Sequence, residues 1–140
     1  SATVYAVWTD RRNGWDDVYG AASNDGPWTN VPVVTGSGNQ SAPAIAAEPT
    51  GSTLHFVWTD DVLGDADVVY ASSVGLPSSP LAGANLADDM LSNVEQSEPS
   101  VAVATDTAGQ LRVFVCWQDE RNLTVNGQDT PVLRRDQAGQ

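Results

Sequence analysis

The side chains best suited to chemistry in this chain lie in three polar loops, each of which follows a tryptophan. The second loop spans residues 60–67 and holds four carboxylates, Asp60, Asp61, Asp65 and Asp67. Carboxylate oxygens are ligands that Ca²⁺ prefers, and a glycine between them provides a bend. Their spacing does not match that of an EF-hand loop. Calcium binding is therefore one interpretation of this loop, and calcium is the only cofactor that the sequence suggests.

Arginines in the first and third loops, residues 10–17 and 119–129, indicate a second interpretation. The guanidinium groups of Arg11, Arg12 and Arg121 are suited to pairing with a carboxylate. Trp15 lies in the first loop and offers a flat ring on which a sugar can stack. These residue types together point to recognition of an acidic sugar.

A third interpretation of the same loops is structural, and it is the favoured one. Aspartates stand at both ends of the loops, where a carboxylate accepts hydrogen bonds from the loop backbone. Asn13-Gly14 and Asn126-Gly127 are typical bends. In this interpretation the loops close hairpins and need no ligand.

No recognisable catalytic set accompanies these loops. Three tyrosines fall in strand patterns and are predicted to be core residues: Tyr5, Tyr19 and Tyr70. His55 stands alone in mid-strand, so it is predicted to pack in the interior and not to bind a metal. Cys116 is the single cysteine, and its apolar neighbours predict a buried, unreactive thiol.

The charge of the chain narrows the class of partner. The chain has 140 residues, 18 acidic and 6 basic groups, and a formal net charge of −12. Such a surface repels nucleic acid and anionic membranes, whereas neutral or cationic partners such as sugars and metal ions remain possible. No apolar stretch approaches the roughly 20 residues that span a bilayer. No signal peptide is visible, and the start at Ser1 suggests a processed or trimmed product or a cloning boundary.

One block recurs three times and predicts a repeat architecture. Val-Trp-Thr-Asp occurs at 7–10 and 57–60, and Cys-Trp-Gln-Asp at 116–119, so the tryptophans are 50 and 59 residues apart. Each block ends a run of β-branched and aromatic residues that is apolar on both faces. Strands of this kind are expected to be covered on both sides, and a period of this size is typical of repeat folds.

Further runs complete a unit of four antiparallel strands around each tryptophan strand. First strands begin with Ser-x-Pro at Ser41 and Ser97, since proline fits the start of a strand. The remaining predicted strands are 17–23, 67–73 and 130–135 in third position, and 28–35 and, less clearly, 81–86 in fourth position. Only residues 86–94 suggest a short helical turn.

These units match the blades of a β-propeller. The predicted fold is all-β, with about two and a half blades of four antiparallel strands. The chain is treated as a single partial propeller domain, 1–140, with blade pieces 1–36, 37–92 and 93–140. A typical propeller closes with about four to eight blades, so further blades from a parent chain or other subunits are expected.

The turn after the first third-position strand resembles the Asp box of sialidase-like (BNR repeat) propellers. Ser23, Asp25, Gly26 and Trp28 match most of the Ser-x-Asp-x-Gly-x-Thr-Trp pattern, although the copy is short and lacks the threonine. The resemblance implies a structural role for these four residues. The aspartate would accept backbone hydrogen bonds, the glycine would supply a positive φ, and the tryptophan would pack under the turn. It also implies that this turn lies opposite the functional face.

The resemblance implies a secreted or cell-surface protein. We expect a non-catalytic binding or structural segment that recognises carbohydrate or protein, because the catalytic residues of sialidases have no counterparts here. The alternative is a fragment of a sialidase-type glycoside hydrolase whose catalytic residues lie on absent blades. The expected functional face gathers the three polar loops and the connections 36–40 and 88–96.

Overall fold

The computed structural model describes residues 2–86 and 95–120, and the backbone of residues 136–138. Within these residues every regular element is a β-strand, and no helix is present that could cross a membrane. The strands are β1 (Val4–Asp10), β2 (Asp17–Ser23), β3 (Thr29–Val34), β4 (Gln40–Ala47), β5 (Thr53–Asp60), β6 (Asp67–Val74), β7 (Ala84–Asn85), β8 (Gln96–Thr105), β9 (Leu111–Asp119) and β10 (Asp136–Ala138).

The strands form three antiparallel sheets. The first has the order β1-β2-β3 and the second the order β4-β5-β6-β7. The third pairs β8 with β9, and the three-residue β10 lies along the other edge of β9. The prediction of an all-β chain built from antiparallel sheets is confirmed.

Most strands lie where the sequence predicts them. β2 spans the predicted 17–23, and β6 extends the predicted 67–73 by one residue. β7 has only two residues, so the predicted strand at 81–86 is much shorter than expected. The predicted strand at 130–135 lies outside the described residues, and the third strand in that sheet is β10 instead. The predicted helical turn at 86–94 lies outside the described residues except for Leu86.

The second sheet is covered on both faces, as the pattern of β5 predicts. Trp58, Phe56 and Leu54 form one cluster with residues of the first sheet, among them Val33. From the opposite face of β5, Val57 packs in a second cluster with Val113, Val115 and Trp117 of β9. The large apolar side chains of β5 are therefore nearly inaccessible to water.

The third sheet is covered on one face only among the described residues. Along β9, Val113, Val115 and Trp117 are buried, whereas Phe114 is 42% exposed and Cys116 is exposed. The prediction of a buried thiol at Cys116 is wrong. An apolar neighbour in the sequence does not bury a residue when its side of the sheet has no second layer against it.

The two first-position strands, β4 and β8, share a bent start. Ala42 and Glu98 both have positive φ, 48° and 51°, and the pairing with β5 and β9 shifts register at this point. A proline follows each of these residues. Proline has no backbone N–H to donate to the neighbouring strand, and a bulge is a place where that hydrogen bond is not needed. The predicted Ser-x-Pro starts are confirmed, with each strand beginning one residue earlier, at a glutamine.

Candidate functional site

The first two polar loops are built on the same clamp. The indole N–H of Trp8 donates to Oδ2 of Asp10 at 3.0 Å, and that of Trp58 donates to Oδ2 of Asp60 at 3.3 Å. The other carboxylate oxygen accepts the backbone N–H two residues later, from Arg12 and Val62 respectively. Each aspartate therefore ties the strand end to the start of its loop, which is the role that the structural interpretation predicts.

The turns that follow are also alike. Gly14 and Gly64 have φ of 93° and 116°, and their N–H groups donate to the carbonyls of Arg11 and Asp61 at 3.0 and 2.9 Å. Only glycine adopts this backbone conformation without strain, so glycine at the fifth position of each loop is required by the turn.

The aspartates that end these loops are buried. Asp17 and Asp67 are 2% and 7% exposed. Asn13 donates to Oδ2 of Asp17 at 2.9 Å, and Asn85 donates to Oδ2 of Asp67 at 2.8 Å. A buried carboxylate needs such donors, since an unpaired one is costly.

The two described arginines of the predicted ligand site are already paired within their own loop. Arg11 forms a two-pronged ion pair with Asp16, and Arg12 pairs with Asp10 while its guanidinium lies 4.0 Å above the ring of Tyr19. The hydrogen bond from Arg12 holds the pKa of the Asp10 carboxyl well below its usual range, and that from Arg11 lowers the pKa of Asp16.

Trp15 is 56% exposed in the same loop, and Arg121 lies outside the described residues. The structure thus brings Arg11, Arg12 and Trp15 together, but with both guanidinium charges balanced by aspartates. Recognition of an acidic sugar by these residues stays a prediction.

The carboxylates of the predicted calcium site are engaged separately. Asp61 binds Asn39 through both oxygens, Asp60 clamps Trp58 and its own loop, and Asp67 lies at the base of the hairpin. No three acidic, histidine or cysteine side chains among the described residues are placed to hold a metal ion. Calcium binding by Asp60, Asp61, Asp65 and Asp67 has no support in this geometry and stays a prediction.

The turn that resembles an Asp box differs in detail from expectation. It lies between β2 and β3, as predicted, and the Ser23 hydroxyl donates to the carbonyl of Gly26 at 2.7 Å. The positive φ, 72°, belongs to Asp25 and not to Gly26. Trp28 is 52% exposed, so it does not pack under the turn. An aspartate tolerates a positive φ better than most residues, so Asp25 can adopt this conformation at the turn.

A pocket that the sequence analysis did not predict lies beside the second polar loop. Its volume is about 330 Å³. It lies between the end of β3, the end of β5 and the start of β6. Its lining comprises Val34, Thr35, Gly36, Ser37, Gln40, Trp58, Asp60, Val62, Leu63, Asp67, Val69, Leu81, Ala82, Gly83 and Asn85.

Gln40 is the most informative residue of this lining. Its side chain is 2% exposed, and its Nε2 donates to the carbonyl of Ser37 at 3.1 Å. That bond fixes the orientation of the amide, because a carbonyl accepts only from the NH₂ end. The Oε1 atom is left buried without a hydrogen-bond partner. A buried acceptor without a donor is costly and therefore unusual in a native protein.

The chemistry of the pocket is that of an acceptor-rich site with apolar walls. Asp60 and Asp67 contribute carboxylates, and none of the described lining residues is basic. Hydroxyl and amide side chains and apolar side chains form the rest of the wall, and one of the apolar residues, Leu63, is 71% exposed. Such a site suits a ligand that donates hydrogen bonds and carries no negative charge.

The loops expected at the functional face do meet. The N–H of Gln40 donates to the carbonyl of Asp16 at 2.6 Å, and the N–H of Asp61 donates to the carbonyl of Asn39 at 3.2 Å. The connection 36–40 therefore joins the first and second polar loops, as predicted. Gln96 makes the corresponding bond to Ala66 at 2.7 Å, although most of the connection 88–96 lies outside the described residues.

Sequence reasoning missed Gln40, Asn39 and Gly83. A signal for the first was present, since Gln-Ser-x-Pro occurs at both 40–43 and 96–99. Asn39 and Gly83 carry no comparable signal, because their partners are distant in the sequence.

Comparison with known proteins gives no match to this chain. The chain matches no protein family model, no curated protein and no solved structure. The resemblance to sialidase-like propellers accordingly stays a prediction.

Proposed function

We propose that this chain is a non-catalytic binding segment of a secreted β-propeller, and that the pocket beside Gln40 takes a neutral, hydroxyl-rich ligand of the carbohydrate class. The observation that carries the proposal is the lining of the pocket, which combines the carboxylates of Asp60 and Asp67 with apolar walls and contains no described basic residue.

The propeller part of the proposal is supported by the stacking of the sheets. β5 turns one face to the preceding sheet, through Trp58, and the other to the following sheet, through Val57. The two first-position strands, β4 and β8, lie side by side. Sheets that repeat these contacts around an axis make a propeller.

The ligand class is supported by the polar groups of the pocket. A sugar hydroxyl donates readily to carboxylates such as those of Asp60 and Asp67. The apolar wall suits the C–H faces of a sugar ring. A carboxylated sugar fits less well, because its charge would meet aspartates and no described basic residue in the lining.

The decisive experiment is a glycan array that contains neutral oligosaccharides and sialosides, followed by titration of any hit in solution. We expect retention of neutral glycans. Ser37→Ala and Thr35→Val remove side-chain hydroxyls from the pocket while leaving the Ser37 carbonyl in place, and they should weaken binding. Ser100→Ala, an exposed serine of the third sheet, is the matched control.

A folded chain that retains no glycan would refute the proposal, as would binding that neither pocket variant affects. Hydrolysis of a sialoside by the parent protein would support the glycoside hydrolase alternative instead.

A further inference from the structure

The outer edge of β1 differs from the corresponding edges of the other two sheets. β5 has β4 on one side and β6 on the other, and β9 likewise lies between β8 and β10. β1 has β2 on one side and no described strand on the other. Its backbone groups on that side have no strand partner among the described residues. The backbone N–H and C=O groups of such an edge strand can pair with a strand from another segment.

β1 and β5 are otherwise equivalent at an offset of 50 residues. Asp10 pairs with Asp17 as Asp60 pairs with Asp67, and both loops use the same tryptophan clamp. The two strands differ in burial, since Val4 is 57% exposed whereas its counterpart Leu54 is fully buried. Leu54 is buried in a cluster with residues of the first sheet, whereas no described sheet lies against the corresponding face of β1.

The strands that fill this position in the other sheets share one chemistry. Both begin with Gln-Ser-x-Pro, both carry a positive φ at the third residue, and both start with a buried glutamine. Gln40 and Gln96 lie opposite Asp60 and Asp119, and Ser41 and Ser97 lie opposite the preceding residues of β5 and β9. β4 contains no charged residue, and β8 contains one.

We infer that the free edge of β1 is a docking site for an extended, uncharged strand that begins with Gln-Ser-x-Pro. By the register of β4 on β5, the glutamine lies opposite Asp10, the serine opposite Thr9, and small apolar residues reach Val4. The inference rests on the repeat alone and not on the ligand of the pocket.

The proposed strand continues an interface that is already present. β8 lies beside β4, and β4 lies beside β1. A strand paired with the free edge of β1 would lie next to β4, as β4 lies next to β8. Acidic residues are disfavoured in this segment because the chain carries a net charge of −12, and a carboxylate next to Asp10 would be repelled.

The test uses a capped peptide with the sequence of residues 40–47 and a fluorescent label. We expect saturable binding to the chain, and none for a scrambled peptide. Two N-methylated versions separate strand pairing from side-chain contact, one methylated at the positions of Ala44 and Ala46, the other at those of Ile45 and Ala47. Successive N–H groups of a strand point to opposite edges, so one version should bind about tenfold more weakly or worse and the other should bind normally.

A second experiment fuses the strand to the chain, which tests the same pairing if the free peptide binds too weakly to measure. Residues 40–52 placed directly before Thr3 reproduce the spacing of β4 to β5, since Thr3 corresponds to Thr53. We expect hydrogen exchange of the β1 amides to slow by about tenfold or more relative to a fusion with the same residues scrambled.

Equal weakening by both methylation patterns would overturn the inference, because it would mean contact through side chains alone. Absence of peptide binding together with unchanged exchange in the fusion would overturn it as well. Light scattering adds a third outcome: if the chain alone forms stable dimers that protect β1, a second copy occupies the edge and the proposed strand does not.

Discussion

Asp61 binds Asn39 through both of its carboxylate oxygens. The backbone N–H of Asn39 donates to Oδ1 at 2.6 Å, and Nδ2 donates to Oδ2 at 2.8 Å. Asn39 in turn accepts the N–H of Asp16 on its Oδ1 at 3.3 Å. One asparagine thereby joins the first and second polar loops, and its position depends on one carboxylate.

Asp61→Asn should therefore destabilise the chain. An amide presents one acceptor where the carboxylate presents two, so one of the two bonds from Asn39 is lost, at about 1–2 kcal/mol. Urea unfolding measures the change. Asp65→Asn removes the same charge from the same loop and should cost under about 0.5 kcal/mol. Equal effects of the two variants would show that charge, and not the bond to Asn39, matters.

The turn between β8 and β9 should contribute an acid-sensitive part of the stability. Backbone N–H groups of Gln110 and Ala108 and the guanidinium of Arg112 bind Asp106, and the bond from Gln110 contributes most to lowering the pKa of its carboxyl. A lowered pKa in the folded state stabilises the fold above the ordinary value near 4, and this stabilisation is lost as the pH falls through the lower folded value.

Asp106→Ala should accordingly be less stable than the parent chain at pH 7, and the difference should shrink as the pH drops below about 4. Thermal unfolding across the acid range provides the measurement. Asp65→Ala changes the net charge equally without removing these bonds, so its difference from the parent should not show this narrowing. A constant difference for Asp106→Ala would contradict the prediction.

Gly83 lies closer to neighbouring side chains than any other glycine among the described residues. A Cβ at this position would lie 2.2 Å from Cγ1 of Val69 and 2.5 Å from Cη2 of Trp58. Gly83→Ala should cost about 1–3 kcal/mol, because both neighbours are buried and cannot move aside freely. Gly26→Ala is the control, since no atom lies within 4 Å of its Cβ position. Tryptophan fluorescence during unfolding reports both, and an unaffected Gly83→Ala would show that this contact is looser than described.

Removal of the Tyr70 hydroxyl should leave Nδ1 of the buried His55 without a partner. Nδ1 of His55 lies 2.8 Å from that hydroxyl, Nε2 lies 3.3 Å from Oε1 of Glu48, and His55 is 5% exposed. Tyr70→Phe should cost about 1–3 kcal/mol in a denaturant titration. Tyr5→Phe removes a hydroxyl that has no hydrogen bond among the described residues, and it should be close to neutral.

Thr59 and Thr9 occupy equivalent positions but should respond oppositely to valine. Oγ1 of Thr59 is buried without a partner among the described residues, whereas Oγ1 of Thr9 accepts the N–H of Ala42 at 3.2 Å. Thr59→Val should be neutral or stabilising, and Thr9→Val should cost about 1 kcal/mol. Calorimetric melting temperatures compare the pair, and a Thr59→Val variant that loses stability would reveal a partner for its hydroxyl.

The sequence by itself determined the strands and the loops that join them. Alternating apolar runs and the repeated Trp-x-Asp block set β1, β5 and β9, and local turn chemistry set the glycines at 14 and 64, because these features depend on neighbours within a few residues. The pairing of Arg11 and Arg12 with nearby aspartates is local in the same sense, although recognition of an acidic sugar is one interpretation of the same arginines.

Only the tertiary structure decided which faces are covered and which polar groups meet. Cys116 and Val57 occupy equivalent places in similar runs, yet one is exposed and the other buried, because a following sheet covers only the second. The bond between Asn39 and Asp61 and the unpaired Oε1 of Gln40 arise where separate sheets come together. Contacts of this kind depend on packing between distant segments, which periodicity along the chain does not encode.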